Sequence, residues 1–134
     1  DYVPCQIDFS ENGEMLAVGD DNDLSIWHLA EDKPHFSLTG QYTELRAVAF
    51  NENGKTLASN DIENNFKLWN LETGQQIESF ELNQDSWNRA TELVSRFYQK
   101  GKCPPTSPNG KLKANKIENR KVNLTNSADD TVKI

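Results

Sequence analysis

Cysteine and histidine are scarce in this chain of 134 residues, which has two of each. Cys5 and Cys103 lack the CxxC spacing of metal sites and are too few for a disulfide framework, so we expect free thiols in a reducing compartment, the cytoplasm. The spacing of His28 and His35 is not that of zinc ligands. The sequence therefore predicts no metal site.

Long hydrophobic runs and catalytic motifs are also missing. No apolar stretch approaches the roughly 18 residues that cross a bilayer, and the sequence starts with neither an initiator methionine nor a signal peptide. It contains no phosphate-binding glycine loop, nucleophile elbow or zinc-protease motif. We therefore expect no membrane partner, no cofactor and no catalytic residues.

Apolar residues make up only 35% of the chain, and its mean hydropathy is −0.78. So polar a chain cannot build two large cores and is expected to be thin-layered. Asparagine is abundant, and it precedes glycine at 12–13, 53–54 and 109–110. Both residue types tolerate positive φ and favour tight turns. The composition predicts short strands joined by turns.

A sequence unit recurs along the chain. Residues 9–17 match residues 50–58, and residues 24–29 match residues 66–71. Within each unit, polar and apolar residues alternate over short runs bounded by Gly, Asn or Asp, as in half-buried strands. The predicted strands lie near 3–9, 15–19, 24–28 and 35–39 in the first unit, and at 45–51, 56–60, 66–70 and 76–81 in the second. Each unit is thus a four-stranded antiparallel meander, which needs neighbours to cover its apolar faces.

The repeated residues resemble a known family. The stretches AVAFNENGKTLAS at 47–59 and FKLWNLETG at 66–74 are similar to the blade consensus of the WD-repeat β-propellers. The resemblance implies an all-β fold, a partial β-propeller of four-stranded antiparallel blades. It also implies a non-catalytic scaffold for protein–protein interaction, with protein partners rather than nucleic acid.

The family's buried tetrad of His, Asp, Ser and Trp is incomplete in this chain. By the resemblance, its hydroxyl position is Val18 in the first unit and Ser59 in the second. Its turn Asp falls at Asp21 in the first unit and is replaced by Glu63 in the second. We therefore expect divergent blades, held mainly by strand pairing and packing.

The resemblance also assigns site residues. Those expected to pack the blades are Phe9, Trp27, Phe50, Ser59 and Trp69. Those expected in partner-facing loops are Asp21, Asn22, Gln41, Tyr42, Asp61, Glu63 and Trp87. The units divide the chain into blade 1 at 1–40, blade 2 at 41–83, an insertion or divergent inner strand at 84–108, and a degenerate or incomplete blade 3 at 109–134.

The segment after the second unit carries a helical pattern. Apolar residues follow i, i+3, i+4, i+7 spacing at Trp87, Ala90, Leu93, Val94, Phe97 and Tyr98. Asp85 or Ser86 can cap the start of a helix, and Gly101 can end it, which predicts a helix near 86–100. In the alternative interpretation, residues 87–90 begin the inner strand of a third blade.

Two registers are open for the last segment. Residues 109–126 align with residues 53–70, with Thr125 in the place of the tryptophan. Alternatively, residues 127–134 form the turn and third strand of a blade. Either register leaves the last blade incomplete, so we expect a segment of a larger propeller, whose open edges favour self-association.

A basic stretch supports an alternative function. The net charge is −7, yet residues 96–121 hold eight Lys or Arg and one acidic residue. Such a stretch can bind an anionic polymer, such as nucleic acid, by neutralising its phosphates. The ordinary interpretation is a solvated surface. The candidate anion-binding residues are Lys111, Lys113, Lys116, Arg120 and Lys121.

Overall fold

The structure is a computed structural model that describes residues 6–19, 23–31, 34–39, 44–99, 108, 113–117, 121–125 and 131–133. These residues form three antiparallel sheets and one helix. Sheet 1 contains β1 (Ile7–Phe9), β2 (Met15–Gly19), β3 (Asp23–His28) and β4 (Pro34–Thr39). Sheet 2 contains β5 (Leu45–Phe50), β6 (Thr56–Asp61), β7 (Asn65–Asn70) and β8 (Gln76–Glu81). Helix α1 spans Trp87–Gln99, and sheet 3 contains β9 (Lys113–Ile117), β10 (Lys121–Thr125) and β11 (Thr131–Lys133).

The strands of sheets 1 and 2 follow the order of the chain, as a meander requires. Gly13 and Gly54, the second residues of two Asn-Gly pairs, have φ angles of +75° and +69°. Positive φ costs glycine nothing and strains other residues, which is why the turns use it. The predicted all-β fold of four-stranded meanders is confirmed.

Sheets 1 and 2 pack against each other through one apolar cluster. Sheet 1 contributes Ala17, Leu24 and Ile26. The strands of sheet 2 contribute Leu45, Val48, Phe50, Leu57 and Trp69, and the turn between β7 and β8 contributes Leu71. Because this cluster buries one face of sheet 1 and one face of sheet 2, neither sheet is a separate domain.

The opposite face of sheet 2 is covered by α1. Its buried residues are Ala47, Ala49, Ala58, Phe66 and Leu68, and they pack against Ala90, Leu93 and Phe97 of the helix. Helical spacing puts these three residues on one stripe. The predicted helix near 86–100 is confirmed. Residues 87–90 form its start, so the alternative that they begin an inner strand is wrong.

The two faces that are covered in this way occupy equivalent positions. Ala17 pairs with Ile26 in sheet 1, and Ala58 pairs with Leu68 in sheet 2. Ala17 and Ile26 face sheet 2, whereas Ala58 and Leu68 face α1. Sheet 2 packs on one face of sheet 1. The helix covers the equivalent face of sheet 2.

Strand pairing in sheet 3 follows that of the earlier sheets. Lys113 pairs with Thr125 as Leu57 pairs with Trp69, in agreement with the alignment of 109–126 to 53–70. The pairing to the last strand shifts between Leu124 and Thr125, as it does between Leu68 and Trp69. Sheet 1 shows the same shift just before its tryptophan. This pairing favours β9, β10 and β11 as the second, third and fourth strands of a unit.

In the described residues, no helix is both long and apolar enough to span a membrane. Cys5 and Cys103 lie outside the described part of the chain. Their expected free-thiol state therefore stays a prediction.

Candidate protein-interaction surface

Several loops meet at one end of sheet 2. The backbone N–H of Ile62 donates to the carbonyl of Glu44 at 3.0 Å, and the N–H of Leu82 donates to the carbonyl of Asn64 at 3.0 Å. These bonds join the start of β5, the turn between β6 and β7, and the segment after β8. We call this region, residues 44, 61–65 and 81–88, the loop end of sheet 2.

Asp61 supports the turn at the loop end from the inside. Its Oδ1 accepts hydrogen bonds from the backbone N–H groups of Glu63 (3.0 Å) and Asn65 (2.9 Å), and its Oδ2 accepts one from Asn65 Nδ2 (2.9 Å). The side chain is fully buried. Its prediction as a partner-facing residue is therefore wrong, because its carboxylate is directed to the turn. Asn64 takes a φ of +62° within the same turn.

The tip of this turn is exposed. Ile62 is 55% exposed, and Glu63 beside it is exposed as well. The acid at the predicted tetrad position in blade 2, Glu63, thus lies at the surface, where a partner could contact it. The other predicted loop residues, Asp21, Asn22, Gln41 and Tyr42, lie outside the described residues.

Trp87 is the most exposed large apolar side chain among the described residues, at 61%. It borders an open groove of about 440 Å³, which is lined by Leu82, Asn83, Gln84, Trp87 and Asn88. A tryptophan beside a groove supplies a large apolar area and a hydrogen-bond donor, which favours protein recognition. The predicted partner-facing position of Trp87 is consistent with this geometry.

A network of hydrogen bonds fixes the segment that forms the groove. Asn83 Oδ1 accepts the backbone N–H groups of Asp85 (2.8 Å) and Ser86 (3.0 Å). The hydroxyl of Ser86 donates to the carbonyl of Glu81 at 2.7 Å and accepts the N–H of Asn83 at 2.9 Å. Polar side chains that satisfy backbone groups before a helix define its entry angle. The groove therefore has a preformed wall at the start of α1.

The residues predicted to pack the blades lie within the sheets. Trp69 and Phe50 belong to the cluster between the sheets, and Trp69 Nε1 donates to Ser59 Oγ at 3.2 Å. Phe9 is buried in a further cluster on the other face of sheet 1, with half-buried Trp27 packed against it. Two members of the family tetrad, Ser59 and Trp69, thus contact each other in the second unit.

One ion pair connects α1 to the outer strand of sheet 2. Arg89 Nη2 lies 2.8 Å from Glu78 Oε2, and Arg89 Nε donates to the same carboxylate at 3.0 Å. The hydrogen bond from Arg89 lowers the pKa of Glu78, against a smaller opposing effect of burial. Arg89 also lies 3.0 Å from Glu92 on the helix. The guanidinium therefore positions the helix on the sheet.

Two other cations are partly desolvated. Burial lowers the pKa of Lys67, and the carboxylate of Asp61 partly offsets that effect. Its Nζ lies 5.9 Å from the centre of the Trp69 ring. Burial also lowers the pKa of Arg96, the first residue of the basic stretch, and the charge of Arg89 adds to the decrease. Arg96 is therefore not a fully solvated anion ligand.

The structure divides the other candidate anion-binding residues. Lys113, Lys116 and Lys121 are strand residues of β9 and β10, whereas Lys111 and Arg120 lie outside the described residues. Anion binding stays a prediction.

Among the described residues, no group of three or more His, Cys, Asp or Glu side chains could hold a metal ion. His28 ends β3, at the position after Trp27 where the second unit has Asn70.

The sequence is similar to a known family. A family model described as "WD domain, G-beta repeat" matches residues 2–28 and 32–70, which include most of the two units. The chain belongs to the WD-repeat family. The first match covers β1 to β3, and the second covers β4 of sheet 1 together with β5 to β7 of sheet 2. WD-repeat domains in general mediate protein–protein interactions and are non-catalytic.

Two curated relatives carry the same repeat. The chain is 29% identical to "Ribosome assembly protein 4" of Saccharomyces cerevisiae over 77 residues, which are 57% of this chain and 15% of the relative. It is 23% identical to "WD repeat-containing protein srw1" of Schizosaccharomyces pombe over 100 residues, 68% of this chain and 18% of the relative. The chain thus spans less than a fifth of the length of either relative.

Proposed function

We propose that this chain is part of a protein-interaction scaffold that binds its partner at the loop end of sheet 2. The observation that carries the proposal is the exposure of Trp87 beside a groove, while Ala90, Leu93 and Phe97 of the same helical stripe are buried. Exposing a tryptophan to water loses the apolar burial that folding otherwise gains. A partner that covers it restores that gain.

The neighbouring charges indicate the character of the partner. Glu44, Glu63, Glu81 and Asp85 are exposed around the loop end. A partner with an apolar residue for the groove and basic residues at its rim would match both the apolar and the acidic character of this region. Exposed Ile62 provides a second apolar contact at the tip of the turn.

We also propose the unit boundaries, with blade 1 at 1–40, blade 2 at 41–83, and 109–134 as a degenerate third blade. The pairing of sheet 3 supports the third assignment, because its registers match those of the last three strands of a unit. In this arrangement the chain contributes a rigid platform of packed sheets, and loops carry the recognition.

Site-specific photo-cross-linking tests the partner surface. A photoreactive amino acid is introduced at Trp87 or at Ile62, and, as a matched control, at Ile77 on β8, which is 53% exposed. In cells that express the protein, the first two positions are expected to give a discrete cross-linked adduct that the control position does not give. Glu63→Lys in the Trp87 variant should reduce the adduct. Equal adducts at all three positions, or none at Trp87, would contradict the proposal.

A further inference from the structure

The side chains of Gln6, just before β1, and of Asp8, in β1, hold β5, the first strand of sheet 2. Gln6 Nε2 donates to the carbonyl of Leu45, and Asp8 Oδ2 accepts the backbone N–H of Phe50 at 2.8 Å. Leu45 and Phe50 are the first and last residues of β5. Both ends of this strand are therefore fixed by side chains of the preceding unit.

At the two positions of sheet 2 that correspond to Gln6 and Asp8, the chain has alanine. Asp8 pairs with Ala17 as Ala49 pairs with Ala58. Counting back two residues along each strand, Gln6 corresponds to Ala47. A further inner strand on this face would find no side-chain acceptor or donor at these positions, and a buried backbone group without a partner is costly. A further blade on this face would therefore lack the side-chain hydrogen bonds by which Gln6 and Asp8 hold β5, and apolar packing alone would hold it.

The same alanines suit a helix. Small side chains at Ala47 and Ala49 leave room for Leu93, which is fully buried, and for Phe97. Phe66 and Phe80, whose rings stack at a centroid distance of 5.3 Å, extend this cluster toward the outer strand, where Arg89 contacts Glu78. Helix α1 thus spans this face of sheet 2 from β5 to β8.

We propose that α1 is an end cap: it covers the face of sheet 2 on which a further blade would pack, and it keeps a second copy of this chain from packing on that face. This inference concerns the other side of sheet 2 from its packing on sheet 1 and does not depend on partner binding at the loop end. Without α1, residues Ala47, Ala49, Ala58, Phe66 and Leu68 would form an exposed apolar face. The occupant is a second copy because it would present the same apolar face, and sheets 1 and 2 already pack through apolar faces of this kind. Two such faces can pack as stacked sheets about 10 Å apart.

The direct test undocks the helix in the full chain. Leu93→Asp places a charge in the covered cluster, and Ser95→Asp makes the same change at an exposed position of α1 as a matched control. Light scattering is measured from low to high micromolar protein. The wild type and the control should have the same mass at each concentration, whereas Leu93→Asp should approach twice that mass as concentration rises. A synthetic peptide of residues 84–100 should return its mass to that of the wild type.

If Leu93→Asp unfolds the sheets, a second pair of variants tests the proposal with changes at partly exposed positions. Arg89→Glu breaks the contact with Glu78 at a partly exposed position, and Glu78→Arg with Arg89→Glu restores a reversed pair. The single variant should associate at a several-fold lower concentration than the wild type, and the double variant should behave as the wild type does. Folded variants that keep the wild-type mass, or an association that neither the peptide nor the reversed pair corrects, would overturn the proposal.

Discussion

The carboxylate of Asp8 accepts a hydrogen bond of 2.8 Å from the backbone N–H of Phe50, so that a side chain of one blade holds the inner strand of the next. Both residues are buried. Burial removes the competition of water for this hydrogen bond. This bond joins two residues that lie 42 positions apart in the sequence.

Replacing Asp8 should weaken the packing of the two blades. Asp8→Ala leaves the buried N–H of Phe50 without this acceptor, which costs about 1–3 kcal/mol of unfolding free energy. Asp8→Asn keeps an oxygen acceptor and should lose less. Urea unfolding of both variants measures the difference. A loss as large for Asn as for Ala would show that the hydrogen bond is not what Asp8 contributes.

Gly19 of sheet 1 lies directly against Leu45 of sheet 2. A Cβ at this position would overlap the side chain of Leu45. Gly19→Ala should therefore lower the unfolding free energy by about 1–3 kcal/mol through overpacking. Leu45→Ala alone creates a cavity, and the double variant should be less destabilised than the sum of the two single variants. Additive losses, measured by thermal unfolding, would show that the two side chains do not compete for the same space.

Replacing Asp61 and replacing Glu63 should change the unfolding free energy by very different amounts, although the two residues lie only two positions apart. Asp61→Ala removes the acceptor of three hydrogen bonds at a buried position, so a loss of about 2–3 kcal/mol is expected. Glu63→Ala changes an exposed side chain and should stay within about 0.5 kcal/mol of the wild type. Chemical denaturation separates the two. Similar stabilities would contradict the structural role of Asp61.

The contact between Glu78 and Arg89 predicts a pH dependence. The hydrogen bond from Arg89 lowers the pKa of folded Glu78, so the ionised carboxylate stabilises the folded state above its ordinary pKa of 4.5. This contribution is lost as pH falls through the lowered folded-state pKa. Both side chains are about one-third exposed, and solvent keeps the effect below about 1 kcal/mol.

Glu78→Gln should therefore be less stable than the wild type at pH 7 and should converge with it in acid. Urea unfolding of both proteins from pH 3 to pH 7 measures the difference, with the exposed Glu72→Gln as control. A difference between Glu78→Gln and the wild type that does not change with pH would contradict the account.

The strands could be predicted because their pattern is local. Alternation and the Asn-Gly pairs place the bounds of β5 to β8 within one residue of those in the structure. The helix follows in the same way from the spacing of Leu93 and Phe97. The bounds of the strands and of the helix depend on residues that are close together in the chain, so a single sequence is enough to predict them.

The contacts between sheets could not be predicted in this way. Asp8 is a polar residue in an apolar inner strand, which signals a special role but not its acceptor function for Phe50. Asp61 lies in a polar segment that is typical of an exposed turn, and only the fold shows that its carboxylate is buried beneath the turn. The position of α1 on sheet 2 likewise depends on Ala47 and Ala49, whose small size becomes meaningful only when the opposite element is known.

Hydrogen exchange of the α1 amides in the full chain tests most directly whether the helix is part of the packed blades. An isolated helix of 13 residues is marginally stable in water. If the helix covers sheet 2 as described, the amides of residues 91–97 should be protected nearly as strongly as those of β5 to β7. Exchange of these amides at the rate of the free 84–100 peptide, with sheet 2 still protected, would contradict the account.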